Sequence, residues 1–474
     1  MKIINLNQFK DKKVAILGFG LEGKSSLNFF KKIGVSDITI LDKNNIYDPE
    51  FINNTESNSV GQIKYITGDD YLNNLDQFDI IIKAPGISPY QNNLLGLSDK
   101  ITTQTEIFTS LYNGKIIGIT GTKGKSTTST ITYLALKNAG YKVKLVGNIG
   151  TPVLDEIDII NGEKYDYIVY EMSSYMLEGL KPKLYIGLVN NIYDCHLDWH
   201  NGIKNYTYSK LNILENSKHK IANIEIKNLA KNIDGIEFFG EGTNYLYKEK
   251  QFFVDGVSVL QDQGFLINGE HNRLNIVGIL AILKQIKKDK FCSIWILSRL
   301  VNGLKQALEN FKGLPHRLEE IGIYNEILFI DDGIATTPES TIAAINTYEQ
   351  KIGTLFLGGY DYGFNFKNLV EVIIKNKIEN IVLFPDSGEK IFGDISQYQY
   401  ENEFILNIKG FNINFIKTRS MESAVKFAYK NTKPGMICLL SNASASYGLW
   451  SGYIEKGNQY QKYVKQYGDK TIII

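Results

Sequence analysis

Residues 118–126 read GITGTKGKS and follow a run of apolar residues. We predict a strand over residues 115–120 and a helix over 124–138, with this stretch as the connection between them. Glycine at such a connection lets the backbone approach an anion, and the N–H groups at the start of the helix point towards it. The stretch therefore predicts a phosphate-binding loop at the carboxyl end of a buried strand.

The residues around the loop supply the chemistry of polyphosphate binding. Lys125 can reach the terminal phosphates of a nucleotide, and the Ser126 hydroxyl can bind Mg²⁺. The commonest loop of this kind has a glycine five residues before Gly124, where this chain has Ile119. The loop is thus a compressed variant, GTxGKST. The alternative, a strand-to-helix turn without a ligand, does not explain the Lys-Ser-Thr that follows.

The bulk composition excludes several classes of protein. A chain of 474 residues is long enough for two to four domains. Its 52 basic and 51 acidic residues give no electrostatic footprint for nucleic acid or an anionic membrane. Three scattered cysteines have neither metal spacing nor a disulfide framework, which fits a reducing compartment. With no signal peptide and no apolar run of membrane-spanning length, we expect a cytoplasmic protein without membrane insertion.

Residues 1–112 alternate strand and helix patterns, which predicts a parallel, doubly wound α/β sheet. The predicted strands are 14–19, 37–42, 63–67 and 79–84, with a helix over 21–33. Gly18, Gly20 and Gly23 form G-x-G-x-x-G between the first strand and the helix, and Asp42 ends the second strand. This Rossmann-like fingerprint indicates either a nucleotide or nucleotide-sugar ligand, or only tight packing of the turn.

Residues 113–313 contain the phosphate loop and a second group of polar candidates. The apolar strand YDYIVYE ends in Glu171, which is suited to hold Mg²⁺ or, alternatively, only caps a turn. The loop YDCHLDWH offers His196, Asp198 and His200 for a metal or phosphate, or has no function. Lys210 lies on a helix predicted over 203–216, where a lysine is usually a solvated charge. We also predict a β-meander over 236–268 with turns at 255–256 and 268–269, followed by two helices.

Residues 314–474 alternate again after the segment GLPHRLE, whose Gly and Pro indicate a linker. The apolar runs EILFIDD, GTLFLGG, NIVLFP and MICLLS are separated by helical patterns. We therefore predict a second nucleotide-binding-like α/β unit. The whole chain is expected to be an α/β protein of three domains.

Six motifs occur in order along nearly the whole chain: GITGTKGKST, VGNIG, YEMSSYMLE, HLD, GEHNRLN and GLPHR. Together they resemble the Mur ligase family of ATP-dependent amino-acid ligases. The GxGxxG first block is similar to two branches of the family, and Lys123 stands where the branch that adds L-alanine carries histidine. The motifs GNIG, SSYxLE and GLPHR are most similar to the branch that adds D-glutamate. This resemblance implies a Rossmann-like UDP-binding domain over 1–112, a central ATP-binding domain over 113–313 and a C-terminal domain over 314–474 that contacts the amino acid and adenosine.

The resemblance also implies a reaction. ATP phosphorylates the carboxylate of UDP-N-acetylmuramoyl-L-alanine, and the amine of glutamate displaces phosphate from the acyl phosphate, in peptidoglycan precursor synthesis and hence cell division. ATP and two Mg²⁺ ions are the implied cofactors, and a monomer is the expected state. Such a reaction needs charge neutralisation and alignment more than covalent catalysis.

The resemblance also implies functional residues, at the positions where this sequence matches the motifs of the family. The implied ATP contacts are Gly121, Thr122, Lys123, Gly124, Lys125, Ser126, Thr127, Asn275, Arg317 and Asp332. The implied contacts of the UDP substrate are Gly20, Leu21, Glu22, Asp42, Lys43, Gly86 and Asn148. Lys125, His196 and Lys210 are the implied catalytic residues, with Ser126, Glu171, His196 and a carbamylated Lys210 at the metals. Domain closure would bring Arg317 to the phosphates.

The amino-acid pocket departs from the family pattern. Ile334 stands where D-glutamate ligases commonly carry lysine, and Tyr362 lies near the position of another basic residue. Thr336, Ser446 and Tyr453 still align with acceptor-binding positions, together with Tyr362. D-glutamate, L-glutamate as in a divergent subgroup, and another acceptor all remain open. Rival interpretations are an NAD-dependent oxidoreductase and a non-catalytic nucleotide-binding module.

Overall fold

The computed structural model describes residues 6–44, 63–148, 152–193, 195, 197–267, 269–288, 294–348, 350–361, 364–396, 400–402, 405–408 and 411–468. The chain divides into two compact units, Met1–Lys312 and Gly313–Ile474. The α/β fold class is confirmed, because each unit is built on parallel strands with helices between them. The predicted domain boundaries at residues 112 and 313 stay predictions. None of the described helices combines the length and the apolar character needed to span a bilayer.

The first sheet has five parallel strands in the order β3-β2-β1-β4-β5. These strands are β1 Lys13–Leu17, β2 Asp37–Asp42, β3 Lys64–Thr67, β4 Ile80–Lys83 and β5 Ile101–Thr102. The predicted strands are confirmed, with ends that differ by one or two residues. Apolar side chains of β1 and β4 are buried on both faces of the sheet, as expected when helices cover both sides.

The order of the first sheet places a switch point between β1 and β4. From β1 the chain passes to β2 on one side of it and later returns to β4 on the other side. The carboxyl ends of β1 and β4 therefore border a crevice. Gly18 follows β1 with φ +90°, and a Cβ there would lie 2.8 Å from the Cβ of Ala84 after β4. Only glycine therefore fits at this turn, which explains the first glycine of the fingerprint by packing.

The central sheet has six parallel strands in the order β11-β10-β9-β6-β8-β7. They are β6 Ile116–Thr120, β7 Val143–Gly147, β8 Tyr167–Glu171, β9 Leu184–Val189, β10 Ser217–Asn223 and β11 Ile236–Phe239. Strands β6, β8 and β9 are buried along their whole length, which accounts for their nearly continuous apolar sequences. The carboxyl ends of these three neighbours therefore meet at one edge, where the phosphate loop begins.

The β-meander is shorter than predicted. It comprises the antiparallel strands β12 Tyr245–Lys248, β13 Gln251–Val254 and β14 Val257–Gln261. The turn at Asp255–Gly256 is confirmed, but the other turn lies at Glu249–Lys250, where both residues have positive φ. Residues 236–239 were wrongly included, because β11 pairs in parallel with β10. Of the second predicted turn, Asn268 lies outside the described residues.

The sheet of the second unit has eight strands in the order β15-β16-β22-β17-β18-β21-β20-β19. They are β15 Glu319–Tyr324, β16 Ile327–Asp331, β17 Ile352–Gly358, β18 Asn380–Phe384, β19 Tyr400–Asn402, β20 Ile405–Ile408, β21 Phe411–Lys417 and β22 Ile437–Leu440. The inner strands are parallel, while β15, β20 and β19 pair antiparallel at the two edges. The four predicted apolar runs are strands β16, β17, β18 and β22, and the edge strands were not predicted.

Helices connect these strands in the predicted alternation. In the first unit they are α1 Leu21–Lys32, α2 Gln104–Leu111, α3 Lys125–Asn138, α4 Val153–Glu156, α5 Ser174–Leu177, α6 Leu197–His200, α7 Ile203–Glu215, α8 Glu270–Lys288 and α9 Ile294–Asn310. In the second unit they are α10 Pro338–Thr347, α11 Lys367–Lys375, α12 Ser387–Ser396, α13 Met421–Asn431 and α14 Tyr453–Tyr467. Helix α10 begins with a capping box between Thr337 and Ser340, with Pro338 at its first position.

Candidate active site

The phosphate loop joins β6 to α3 as the sequence predicts. Gly124 precedes the helix with φ +79°, and a Cβ there would lie 2.5 Å from Oδ1 of Asn275 on α8. The Lys125 ammonium donates to the carbonyl oxygens of Gly121 at 3.0 Å and Thr122 at 3.1 Å. It thus bends back over the loop, where a bound phosphate would meet it. Asn275, predicted at the ATP site, is brought to the loop.

The middle of the loop is held by Asn191, a residue that sequence reasoning missed. Asn191, two residues beyond β9, accepts from the backbone N–H of Lys123 at 2.8 Å through its side-chain oxygen. Its amide nitrogen donates to the Lys123 carbonyl at 3.1 Å, and its own carbonyl accepts from the Thr122 N–H at 3.0 Å. The Asn-Asn pair at the end of this strand was the available signal.

Ser126 and Glu171 lie together at the carboxyl ends of β6 and β8. The Ser126 hydroxyl donates to Oε1 of Glu171 at 3.2 Å, and the Asn148 amide donates to the same oxygen at 3.1 Å. Glu171 is fully buried and Ser126 nearly so. A hydroxyl and a carboxylate are the hard oxygen ligands that Mg²⁺ prefers, so this donor set fits the predicted ion. Asn148, expected at the muramoyl group, lies beside this pair.

Lys210 is buried, contrary to the usual expectation for a helical lysine. It is 2% exposed, and its ammonium donates to the Gly121 carbonyl at 2.8 Å, the oxygen that Lys125 also contacts. Burial, and secondly the charge of Lys125, hold the pKa of Lys210 well below its ordinary value. The side chain also lies over the ring of Tyr206. The neutral amine is therefore more accessible for Lys210 than for an exposed lysine.

The HLDWH segment is only partly described. His196, predicted as a catalytic residue and metal ligand, lies outside the described residues. Asp198 is exposed on α6, whereas His200 is fully buried. His200 Nδ1 lies 2.9 Å from Oε2 of Glu178, and its Nε2 lies 3.0 Å from the Ser174 hydroxyl. Asp198 and His200 therefore do not share a surface cluster, and His200 belongs to an internal network.

The first turn of α8 is held by an ion pair that sequence reasoning also missed. Arg273 donates to both carboxylate oxygens of Asp262, at 2.8 and 2.9 Å, and Tyr247 of the meander donates to the same group at 2.7 Å. Such bidentate geometry fixes orientation as well as charge. Asn275 lies in the next half turn, and its amide lies 3.3 Å from Asn272 Oδ1.

The predicted UDP-substrate residues of the first sheet surround its switch point. The Asp42 carboxylate accepts from the backbone N–H groups of Phe19 at 2.7 Å and Asn44 at 2.8 Å, so it organises the loop after β1. Burial raises the pKa of Glu22 to about 7, against the opposing charge of Lys83. The remaining predicted contacts are Gly20, the exposed Leu21 and Lys43, and Gly86.

In the second unit, Arg317 lies between two residues with left-handed backbone. His316 has φ +59° and Leu318 has φ +45°. The Leu318 N–H donates to Asp332 Oδ1 at 3.2 Å, so the predicted adenosine contacts Arg317 and Asp332 are brought close together. The Ser441 hydroxyl donates to Asp332 Oδ2 at 2.8 Å. Burial nevertheless raises the pKa of Asp332 to about 7.

A His-carboxylate cluster lies behind this loop. His316 Nδ1 is 2.7 Å from Asp331 Oδ2, and the His316 backbone N–H donates to Glu319. The three side chains have the spacing of a metal site. However, the Gln461 amide donates to both carboxylates, at 3.0 and 3.1 Å, and the bond to Asp331 raises the pKa of His316. Hydrogen bonds within the chain therefore already satisfy this cluster.

The predicted acceptor residues lie after the parallel strands of the second unit. Thr336 follows β16, Ser446 follows β22, and Tyr453 begins α14. Ser446 is 2% exposed, and no described residue makes a hydrogen bond with its hydroxyl. Tyr453 lies near the β16 loop, since a Cβ on Gly333 would be 3.4 Å from its carbonyl. Tyr362 lies outside the described residues, and Ile334 is half-buried.

Comparison with known proteins tests the resemblance. The family model described as the Mur ligase middle domain matches residues 119–283. A UDP-N-acetylmuramoylalanine–D-glutamate ligase of Acetivibrio thermocellus is 30% identical over 97% of this chain and 98% of that protein. The chain belongs to the Mur ligase family. An enzyme of the same name from Clostridium botulinum strain 657 is 29% identical over 97% of this chain and 99% of its own.

Solved structures agree with the Mur ligase fold. The UDP-N-acetylmuramate–alanine ligase of Thermotoga maritima superposes with a TM-score of 0.54 at 18% identity, covering 96% of this chain and 99% of that one. A UDP-N-acetylmuramoylalanyl-D-glutamyl-2,6-diaminopimelate–D-alanyl-D-alanyl ligase from Acinetobacter baumannii gives 0.52 at 15% identity, covering 97% and 92%. At these identities the likeness supports the fold alone. As a Mur ligase family member, the chain needs no oxidoreductase interpretation for its GxGxxG turn.

Proposed function

We propose that this protein is an ATP-dependent ligase that adds D-glutamate to UDP-N-acetylmuramoyl-L-alanine, in the synthesis of peptidoglycan precursors. The observation that carries the proposal is the convergence of Lys125 and Lys210 on the Gly121 carbonyl, beside the buried Ser126–Glu171 pair. Full-length relatives that carry the name of this activity support it. The reaction couples amide-bond formation to the conversion of ATP into ADP and phosphate.

The first half-reaction is phosphoryl transfer to the substrate carboxylate. A carboxylate oxygen attacks the terminal phosphorus of ATP, the bond to the bridging oxygen breaks, and ADP leaves. Charge accumulates on the transferring oxygens, and the Lys125 ammonium is placed to neutralise it. Backbone N–H groups at the start of α3 would bind and orient the phosphates, while those of Thr122 and Lys123 donate to Asn191 and fix the loop. The chain thus supplies alignment and charge rather than a nucleophile.

Magnesium is the cofactor that the donor set fits. Ser126 and Glu171 would hold one ion, which would supply positive charge against the negative charge of the phosphates. Glu171 is fully buried, so water is kept away from its carboxylate. Hydrogen bonds from Ser126 and Asn148 orient that carboxylate. His196 and a carbamylated Lys210 are proposed for a second ion.

Lys210 has the property that carbamylation requires. Only a neutral amine attacks CO₂: its nitrogen bonds to the carbon, and one proton leaves to water, which gives an anionic carbamate. Burial and the neighbouring Lys125 lower the pKa of Lys210, so that the neutral amine is accessible. The modification would place an anion beside the Lys125 ammonium, which attracts it. We therefore propose Lys210 as the carbamylated lysine of this ligase.

The second half-reaction is aminolysis of the acyl phosphate. The amine nitrogen of glutamate bonds to the acyl carbon, phosphate leaves, and a proton passes from the nitrogen to solvent. Thr336, Tyr362, Ser446 and Tyr453 are proposed to bind the amino acid. The buried Ser446 hydroxyl can donate to a carboxylate, which partly replaces a cation lost at Ile334. Losing an ion pair to a buried carboxylate would otherwise cost about 2–5 kcal/mol.

The remaining assignments follow from this activity. We propose that residues 1–112 bind the UDP group, 113–313 bind ATP, and 314–474 contact adenosine and glutamate. The UDP contacts would be Gly20, Leu21, Glu22, Asp42, Lys43 and Gly86. We expect the protein to act in the cytoplasm, because the proposed substrate is linked to a nucleotide and the reaction uses ATP. A monomer is expected, and light scattering of the purified protein tests this.

Phosphate release tests the proposal. We expect phosphate when the protein is supplied with UDP-N-acetylmuramoyl-L-alanine, ATP, Mg²⁺ and D-glutamate, and little with L-glutamate. Mass spectrometry of the product should show one added glutamyl residue. The Lys125→Ala variant should release none, because the transferring charge is left without its neutralising cation.

Each outcome decides between the alternatives. Release with L-glutamate in place of D-glutamate would reassign the acceptor, and release with neither would refute the ligase assignment. Wild-type activity of Lys125→Ala would refute the role given to that residue while leaving the overall reaction intact.

A further inference from the structure

Two segments of the first unit are joined by side-chain bonds that the proposed chemistry does not use. One is the loop of residues 84–90, which follows β4 of the first sheet and contains Gly86. The other is α6, which precedes the helix that carries Lys210. We call the set of contacts between them the junction. It connects the proposed UDP-binding sheet to the proposed ATP-binding sheet.

Trp199 holds the backbone of the 84–90 loop. Its indole N–H donates to the Gly86 carbonyl at 3.1 Å, and its own carbonyl accepts from the Ser88 hydroxyl at 2.6 Å. Lys83 lies 5.4 Å from the centroid of the Trp199 ring and donates to the Ile87 carbonyl at 2.8 Å. The loop is therefore fixed from its strand side and from α6.

A second line of bonds runs from the partly buried Tyr90 and Glu178 to the buried His200 and Ser174. The Tyr90 hydroxyl donates to Glu178 Oε1 at 2.6 Å, and Glu178 Oε2 lies 2.9 Å from His200 Nδ1. His200 is fully buried, and its other ring nitrogen lies 3.0 Å from the Ser174 hydroxyl. Glu178 accepts from Tyr90 and bonds to His200, so loss of the Glu178 carboxylate would leave the buried His200 Nδ1 without this partner. Such a line allows little change in orientation.

The junction continues to the phosphate loop. The His200 ring packs edge-on against Tyr206 with a centroid separation of 5.3 Å, and its carbonyl accepts from the Asn205 amide. The Tyr206 hydroxyl lies 2.7 Å from the hydroxyl of Thr122. Contacts therefore run without a gap from Gly86 to the residue beside Lys123. Tyr206 also lies against Lys210.

We propose that Tyr90, Glu178, Trp199 and His200 are positioning residues that set the distance and angle between the two binding sheets. This rests on the proposed function, since a substrate held by its UDP end must present its carboxylate to the terminal phosphate of ATP. Small displacements of reacting atoms are costly, and an error of about 1 Å can lower rates roughly 100-fold. The junction acts through this geometry and not by contacting the reacting atoms.

Two mild variants test the proposal in the full-length protein. Tyr90→Phe removes one hydroxyl, and Trp199→Phe removes one N–H while keeping an aromatic ring. We expect the double variant to lose roughly 10- to 100-fold in kcat/KM for UDP-N-acetylmuramoyl-L-alanine. Its Kd values for UDP alone and for a non-hydrolysable ATP analogue, measured by calorimetry, should stay within about twofold of wild type, because each of these ligands contacts only one of the two sheets that the junction joins.

A matched control removes the same kind of bond elsewhere in the unit. The Tyr165 hydroxyl donates to Glu163 at 2.5 Å, away from both binding loops, so Tyr165→Phe should leave kcat/KM unchanged. Wild-type kcat/KM in the double variant would overturn the proposal. Equal weakening of UDP, ATP analogue and complete substrate would also overturn it, because that pattern is general structural damage.

The test remains decisive if the proposed activity fails. Should wild type release no phosphate, calorimetry still compares UDP with UDP-N-acetylmuramoyl-L-alanine. Tighter binding of the complete substrate to wild type, lost in the double variant while UDP binding persists, supports the junction. The same affinity ratio in both proteins refutes it, whatever the reaction is.

Discussion

At the scale of single residues, Lys210 shows how burial changes what a side chain can do. Its low pKa and its place beside Lys125 make an ammonium unfavourable there, whereas a carbamate would be stabilised. We expect Lys210→Ala to be nearly inactive and short carboxylates such as acetate to restore part of the activity. Phosphate release with increasing acetate measures this rescue.

The same helix provides the control for that prediction. Lys204 is exposed on α7, so Lys204→Ala should keep wild-type turnover and show no response to acetate. Full activity of Lys210→Ala without acetate would remove the carbamate from the mechanism. Arginine at position 210 should also be inactive, because its guanidinium stays charged and does not bond to CO₂.

Asp332 gives a prediction about pH at the same scale. Its pKa is raised from 3.8 to about 7 in the folded protein, so between these values the native state keeps a proton that the unfolded state loses. The contribution of Asp332 to stability is therefore fully present below pH 3.8 and declines as pH rises to 7. Asp332→Asn, which does not titrate, should gain stability relative to wild type by at most about 4 kcal/mol over this range.

Denaturant unfolding at pH 5 and pH 8 measures that difference. We expect a larger relative stability of Asp332→Asn at pH 8 than at pH 5. An unchanged offset for Asp332→Asn would mean that its carboxyl group titrates normally in the folded protein.

At the scale of elements, the connection between β6 and α3 depends on a glycine for two separate reasons. Gly124 has φ +79° and also faces the Asn275 amide at a distance that excludes a Cβ. Gly140, just beyond the same helix, has φ +80°, and a Cβ added there would meet no atom within 4 Å. The two glycines thus separate backbone strain from steric conflict.

Alanine at each position tests this separation. Gly140→Ala should destabilise the protein by about 1–2 kcal/mol and keep its activity, because only the left-handed backbone is strained. Gly124→Ala should carry the same strain and also displace Asn275 from the phosphate loop. We expect its kcat/KM for ATP to fall roughly tenfold or more, and equal activity of both variants would refute a steric role.

The elements that the sequence predicts well are those with a distinctive local pattern. Buried parallel strands such as β6 and β8 appear as continuous apolar runs, and glycine followed by Lys-Ser identifies the phosphate loop. The meander was wrong at its first strand, because β11 is short and partly polar and its partner is not visible in the sequence. The edge strands β15, β19 and β20 were missed for the same reason, since edge strands have weak patterns. Strand β21, which pairs in parallel with β18 inside the sheet, was missed as well.

The site itself was predictable only as far as residue types allow. The phosphate loop with its Ser126 hydroxyl and the Glu171 carboxylate could be placed from the sequence. They lie at the carboxyl ends of β6 and β8, which are neighbours in the parallel sheet. The burial of Lys210 could not, because the helix period does not tell which face meets the loop. His200, Tyr206 and Asn191 act through contacts with residues distant in sequence, so only the fold brings them to the site.

At the scale of the whole molecule, the two units have separate cores. The apolar clusters of Gly313–Ile474 contain only residues of that unit, among them Phe356 and Leu439. In contrast, one cluster of the first unit spans the predicted boundary at residue 112, because Phe108 of α2 packs with Ile116 and Tyr170 of the central sheet. A break at residue 312 therefore leaves cores intact, and a break at 112 divides one.

Fragments test this difference. Residues 313–474 expressed alone should unfold cooperatively on heating, since a unit of this size buries its own core. Residues 1–312 should bind UDP-N-acetylmuramoyl-L-alanine but release no phosphate, because Arg317 and Asp332 are absent.

Residues 113–312 should unfold at a lower temperature than 1–312, because they lose Phe108 and the hydrogen bond between Thr105 and Tyr170 at 3.1 Å. Equal melting temperatures would show that the boundary at 112 separates two independent domains.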